Sequence, residues 1–193
     1  VILGLLVGGV LSGQSLIRAA ELRSVATSLQ KYNAAVYSFR DKYFAQPGDF
    51  SNAKAFWTTC TDHTNNNCNG DGDGIYDNNA CVNVQSSENN RAWQHMALAG
   101  LIEGDYSTAL NANCAFGVFA SVPGSSVPRL RISNSGIMFY NLTAAGFTGN
   151  TMILGGNGGN ALESGFIKAE EAWNIDTKMD DGLPYKGPVT TRI

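Results

Sequence analysis

Three features of this sequence predict an α+β fold in which a long, protruding N-terminal α-helix packs on a globular head with a small antiparallel sheet. A wholly apolar opening segment runs into an amphipathic seam without a helix breaker, Pro47-Gly48 then forces a turn, and the rest of the chain carries short strand and helix signals among many Gly, Asn and Ser residues. The helix is placed at 1–44 and the head at 45–193.

The opening residues, Val1 and Leu5 through Gly8, Gly9 and Leu11, include no charge and no Met. They read as neither an intact translation start nor a complete signal peptide. Eleven apolar residues make a helix of about 17 Å, against the roughly 30 Å of a hydrocarbon core, so about ten further apolar residues are expected before Val1. Gly4, Gly8, Gly9 and Gly13 are costly in a water-exposed helix, but small residues let helices approach closely in lipid or in a bundle. From Leu22 the apolar positions continue as Val25, Leu29, Tyr32, Val36, Phe39 and Tyr43, with Arg23, Lys31, Arg40 and Lys42 off the stripe. Steps of three and four define one helical face that packs along a line against another surface. A single helix to about residue 44 would be about 66 Å long, more than a head of this size needs, so at least half of it must protrude.

In the head, a short helix is expected over 51–57, capped by Asp49 or Ser51. A second is expected to start near Ser87-Glu88, with Ala92, Trp93, Met96, Ala97 and Leu101 on one face, and to end at Gly104. Strands are expected at 116–120, 129–133 and 137–143, the last two joined by an Asn134-Ser135-Gly136 hairpin turn. The stem helix would form one layer and this sheet the other. The run Gly155-Gly156-Asn157-Gly158-Gly159 reads as a flexible loop, its glycine spacing being wrong for a dinucleotide fingerprint. A third helix is expected over 161–175.

Charged residues are only 15% of the 193-residue chain, as suits a secreted or surface-displayed protein. Residues 1–43 hold five basic and two acidic side chains, a balance of +3, which leaves −6 for the remainder given a total of −3. No concentrated basic stripe exists for nucleic acid. Cys60, Cys68, Cys81 and Cys114 all lie in the head without zinc-type spacing, and two disulfides are the natural reading. Three connectivities are open, and the shorter loops favour Cys60 with Cys68 and Cys81 with Cys114.

The clearest local motif is Asn69-Gly-Asp71-Gly-Asp73-Gly74-Ile75-Tyr-Asp77. Alternating oxygen donors in a tight glycine loop suit a hard cation, with Asn69, Asp71, Asp73 and Asp77 as side-chain ligands and Ile75 through its carbonyl. The loop resembles the calcium loops of thrombospondin type 3 repeats and dockerins, although Ala80 stands where an EF-hand has its twelfth-position acid. Asp176, Asp180 and Asp181 form a second acidic group. Placed beyond a helix C-terminus they oppose its dipole and call for compensation, from Lys178 or from a second cation. Catalysis lacks support: His63 and His95 have no partner at useful spacing, and His95 reads as a partly exposed helix residue. The sequon at Asn141 lies within an expected strand and carries little weight.

A protruding helix with an apolar tip needs a membrane, a bundle of like subunits, or both in turn. The run from Val1 to Val25, with Ala19-Ala20-Glu21-Leu22-Arg23, and the seam ending at Tyr43 resemble the type IV pilin and type II secretion pseudopilin superfamily over about the first quarter of the chain. The resemblance implies an extracellular filament whose homopolymeric core is built from Val1, Leu5, Gly8, Gly9, Leu11, Leu22, Val25 and Leu29. It also implies membrane insertion before assembly, a prepilin peptidase that cleaves a leader and methylates the new N-terminus, pilus assembly machinery as partner, and local unwinding at 8–13. Alternatives are a secretion pseudopilin and a membrane-anchored, non-polymerising calcium-binding module.

Overall fold

The computed structural model describes residues 2–60, 68–76, 88–106, 121–132, 134–142, 149–158, 162 and 164–183. Its elements are α1 (Ile2–Tyr43), α2 (Ala53–Phe56), α3 (Glu88–Leu98), β1 (Ser135–Leu142), β2 (Gly149–Gly156) and α4 (Ala169–Met179), an α+β fold led by a 42-residue helix. The chain divides into two compact units, Val1–Gln30 with Ile167–Ile193, and Lys31–Phe166, and α1 runs through both.

α1 is uninterrupted because no proline occurs before Pro47. Arg40 and Lys42 occupy its last turn, where positive charge complements the helix dipole. Phe44 terminates it in the left-handed region at φ 53°, its N–H donating to the Arg40 carbonyl at 2.8 Å. The seam is real: Val25, Leu29 and Phe39 are buried, and Leu22, Tyr32, Val36 and Tyr43 are half-buried.

In the unit spanning Lys31–Phe166, α3 is the central element. Trp93 is fully buried and touches Tyr32 of α1 edge-on at 5.0 Å and Phe139 of β1 at 4.5 Å. Stem and sheet were expected as two layers, and in this unit Trp93 of α3 touches both. Below Trp93, Phe39 stacks on His95 at 6.2 Å, and Tyr43, Phe50, Phe56 and Trp57 complete an aromatic cluster with neighbouring ring centroids 5.2 to 6.1 Å apart. α3 ends at Leu98, short of the expected Gly104, because Gly100 at φ 72° closes a Schellman motif. The Leu101 N–H bonds to the Met96 carbonyl and the Gly100 N–H to that of Ala97, each at 2.9 Å.

The sheet also differs from expectation. β1 fits the predicted third strand, but its partner is β2, antiparallel, with Ile137 opposite Leu154 and Phe139 opposite Met152. Of the expected strand 129–133, residues 129–132 form none; Arg129 makes a bridge to Gly136 of β1, and Asn134 bends the chain at φ 49°. The candidate strand at 116–120 lies outside the described residues. Gly155 and Gly156 end β2 rather than forming a loop: a Cβ on Gly155 would lie 2.2 Å from the Leu162 carbonyl oxygen, and Gly156 bridges Ser164. α4 starts at Ala169, later than expected, and its N-terminus is tied by the Lys168 N–H donating to Glu171 Oε2 at 2.9 Å.

Candidate functional site

Three places carry the residues that sequence reasoning selected. The first is the opening half of α1. Val7, Val10, Leu11, Leu16 and Ile17 are between 56% and 71% exposed, a concentration of large apolar surface on one helix. A Cβ added at Gly8, Gly9 or Gly13 would meet nothing within 4 Å, so these positions are open to close approach by another backbone. The helix is continuous through 8–13, with no unwound segment. No helix among the described residues is long and apolar enough to cross a membrane. Val1 lies outside the described residues.

The second place is the glycine-aspartate loop. Oxygens of Asp49, Asp71, Asp73 and Glu88 all lie within 4.8 Å of one another, with Asp49 and Glu88 buried and the two loop carboxylates exposed. Asp49 follows the Pro47-Gly48 turn and anchors the loop, accepting from the Gly72 N–H at 2.6 Å and the Gly74 N–H at 2.8 Å. Glu88, in the first turn of α3, accepts from the Asp71 N–H at 3.1 Å. Asn150 of β2 clamps the far side, accepting from the Tyr76 N–H and donating to the Gly74 carbonyl. Gly70 lets the strands of chain meet, since a Cβ there would sit 2.3 Å from the Asp49 Cα.

Of the predicted ligands, Asp71 and Asp73 are brought together. The Asn69 side-chain oxygen accepts from the Lys54 N–H at 2.8 Å, at the start of α2. That bond also replaces the expected caps, as Asp49 is engaged with the loop and Asn52 stands at the N-cap position without a capping bond. Ile75 makes its described contact through its amide, donating to Asp73 Oδ1. Asp77 lies outside the described residues. Asp49 and Glu88 were missed by sequence reasoning, although an acid directly after a Pro-Gly turn and an acid opening a helix were the available signals.

Burial is the main effect pushing the Asp49 carboxyl up, and the neighbouring Asp71 and Asp73 charges add to it against the two backbone N–H donors. Two full negative charges about 5 Å apart repel by about 3 kcal/mol at an effective dielectric of about 20. An all-oxygen donor set, half of it dehydrated by burial, fits a hard divalent cation of the calcium type. Asp49 and Asp73 also line an open cleft of about 800 Å³ with Tyr37, Arg40, Phe44 and Gln46, which gives an ion a path to the carboxylates.

The third place is the end of α4, in the unit Val1–Gln30 with Ile167–Ile193. Asp176 is not beyond the helix, as the sequence suggested, but in its last turn and 1% exposed, while Asp180 is the C-cap. Oxygens of Asp176, Asp180 and Asp181 again lie within 4.8 Å of one another. Burial first, then the Asp180 and Asp181 charges, push the Asp176 carboxyl up. In the same unit Arg18 of α1 makes a two-pronged pair with Glu171 of α4 at 2.7 and 2.6 Å, which holds the Glu171 carboxyl down at about 2.

His95 is a correction: it is fully buried, not partly exposed. Its Nδ1 accepts from the Gly48 N–H and its Nε2 donates to the Cys68 carbonyl, each at 2.9 Å, so it is a neutral connector that burial pushes down to about 4. Cys68 is joined to Cys60 in the expected disulfide, while Cys81, Cys114 and His63 lie outside the described residues. No family model, curated protein or solved structure matches the chain.

Proposed function

We propose that the protein is the structural subunit of an extracellular, type IV pilus-like filament, polymerising through α1. The observation that carries this reading is the row Val7, Val10, Leu11, Leu16 and Ile17, large apolar side chains left facing solvent in the isolated chain. Burying a fully exposed side chain of this kind is worth about 1.5 to 3 kcal/mol, so copies that shelter these five, 56% to 71% exposed, gain about 5 to 9 kcal/mol before the entropy of association is subtracted. The open faces at Gly8, Gly9 and Gly13 allow the helices of neighbouring copies to pack backbone to backbone. Unwinding at 8–13 then belongs to assembly, since the isolated helix is intact there. Insertion in the inner membrane, leader processing and N-terminal methylation precede assembly in this reading.

The buried carboxylates Asp49 and Glu88, facing Asp71 and Asp73, support a second element of the same reading: a calcium ion that ties the loop, α3 and the Pro47-Gly48 turn into one outer surface. The subunit needs no catalytic residue. The test is high-speed sedimentation of material sheared from cells that make the wild-type chain or Leu11→Lys with Leu16→Lys. Wild type should pellet and the double variant should stay in the supernatant or in the cells. Equal pelleting of both would remove the first helix from the assembly interface.

A further inference from the structure

The open cleft beside the glycine-aspartate loop is built around a side chain whose position is costly. Phe44 is 94% exposed and sits at φ 53°. The left-handed region strains any residue that carries a Cβ, which is why helix ends usually give that place to glycine, and an apolar ring left in water forgoes the gain of burial. Its neighbour Tyr43 shows the alternative, packing its ring with Phe50, Phe56 and Trp57. Two local costs on one side chain call for a compensating contact that the isolated chain does not make.

Tyr37, Asp41 and Phe44 follow one another at steps of four and three, so they share one face at the end of α1, with Arg40 beside them. Tyr37 is 62% exposed, and all four line the cleft of about 800 Å³ together with Gln46 and Ser51. Both signs of charge stand unneutralised there. Arg40 forms no salt bridge among the described residues, although Asp41, Asp49 and Asp73 line the same cleft. Asp49 commits both oxygens to the Gly72 and Gly74 N–H groups, and Asp73 Oδ1 accepts from the Ile75 N–H. Asp41 is exposed, and its carboxylate makes no hydrogen bond among the described residues.

The lining also rules out other occupants. Three acids against one base repel phosphate and nucleic acid. Exposed charged walls do not suit a lipid chain. The lining residues come from the end of α1, the turn after it and the glycine loop, so there is no strand edge to which an extended peptide could add.

We infer that the cleft binds a small zwitterion, a free α-amino acid with an apolar side chain. Its carboxylate pairs with the Arg40 guanidinium, whose planar fork matches carboxylate geometry. Its ammonium pairs with Asp41, and its side chain lies against the Phe44 and Tyr37 rings, covering the apolar surface that the isolated chain exposes. In an open, water-screened cleft the affinity is modest, with a Kd on the order of 10⁻⁴ to 10⁻³ M.

The test is a saturation-transfer NMR titration of L-phenylalanine against the full chain held as single subunits in mild detergent with chelator, so that it stands apart from polymerisation and from calcium. Wild type should bind saturably in that range, and N-acetyl-phenylalanine and phenylalaninamide, which each lack one charge, should bind weaker by on the order of tenfold. Arg40→Gln and Asp41→Asn, both surface changes, should weaken L-phenylalanine by on the order of tenfold. Phe44→Gly should weaken it as much while melting at or above wild type, because glycine relieves the left-handed backbone; a merely structural ring would not give that pair of results. Absence of saturable binding to wild type would overturn the inference, as would equal binding of N-acetyl-phenylalanine, or Phe44→Gly or Arg40→Gln binding as tightly as wild type.

Discussion

Acidification should loosen the Lys31–Phe166 unit through one residue, His95. Its ring is fully buried between Phe39 and Trp57, accepts from Gly48 and donates to Cys68, and burial holds it down at about 4 from an ordinary 6.5. The unfolded chain therefore takes up the proton first as pH falls. The stabilisation from a neutral His95 is complete above about pH 6.5, is lost progressively between about 6.5 and 4, and levels off below. At about 1.4 kcal/mol per unit, the loss is about 3 kcal/mol. Asp49, whose carboxyl is pushed up, acts with the opposite sign, so the effect of His95 must be isolated by comparison with His95→Gln, which keeps a donor and an acceptor but does not titrate. Urea unfolding in mild detergent, followed by tryptophan fluorescence, should lose about 3 kcal/mol more in wild type than in the variant between pH 7 and 4. The wild-type ring should also titrate near 4 by NMR, a measurement that stands even if the variant folds poorly. Equal losses in the two proteins, or a ring titrating near 6.5, would refute the argument.

Other substitutions test other joints. Gly48→Ala should cost at least about 2 kcal/mol in urea unfolding, because its φ is 90° and a Cβ would lie 2.2 Å from the Glu88 carbonyl oxygen. Trp93→Ala should cost about 3 to 5 kcal/mol by the same assay, since it empties the contact between Tyr32 and Phe139. Arg18→Met should cost no more than about 1 kcal/mol, the pair being partly solvent-screened; thermal melts should show that contribution present above about pH 4.5 and lost as pH falls toward 2. Reducing the Cys60–Cys68 bridge, which spans 8 positions, should lower stability by about 2.5 kcal/mol, read as a shift in urea midpoint between oxidised protein and the Cys60→Ala, Cys68→Ala pair.

What could be read from the sequence was what neighbouring residues decide. The unbroken steps from Leu22 to Tyr43 and the stop at Pro47 fixed α1 to within a residue or two, and the short spacing of Cys60 and Cys68 favoured their pairing. Asp71 and Asp73 were legible because one glycine loop carries both. Their partners were not: Asp49 meets the loop across 23 residues and Glu88 across 17, and convergence at such separations is set by tertiary packing. α3 misled for a different reason. Glu88, Asn89, Asn90, Arg91, Gln94 and His95 look like a solvated face, yet all are buried, because this helix is enclosed on several sides, with Glu88 bonded to Asp71, Arg91 to the Asn69 carbonyl and His95 to Gly48 and Cys68. β2 was hidden by Gly149, Gly155 and Gly156, which weaken any strand signal, although Gly155 and Gly156 permit the close contact with Leu162 and Ser164. Asp176 was legible as an acid near a helix end, whereas its burial was not, since the helix runs four residues past its expected stop.

In a filament of this design α1 is sheltered by other copies of itself. Electron microscopy of sheared surface material, with helical reconstruction, measures this directly. The prediction is a fibre whose axis is lined by residues 1 to about 25 from many subunits, with Leu11 and Leu16 buried between them. Discrete single particles under every condition, or a fibre with this helix on its outer surface, would contradict it.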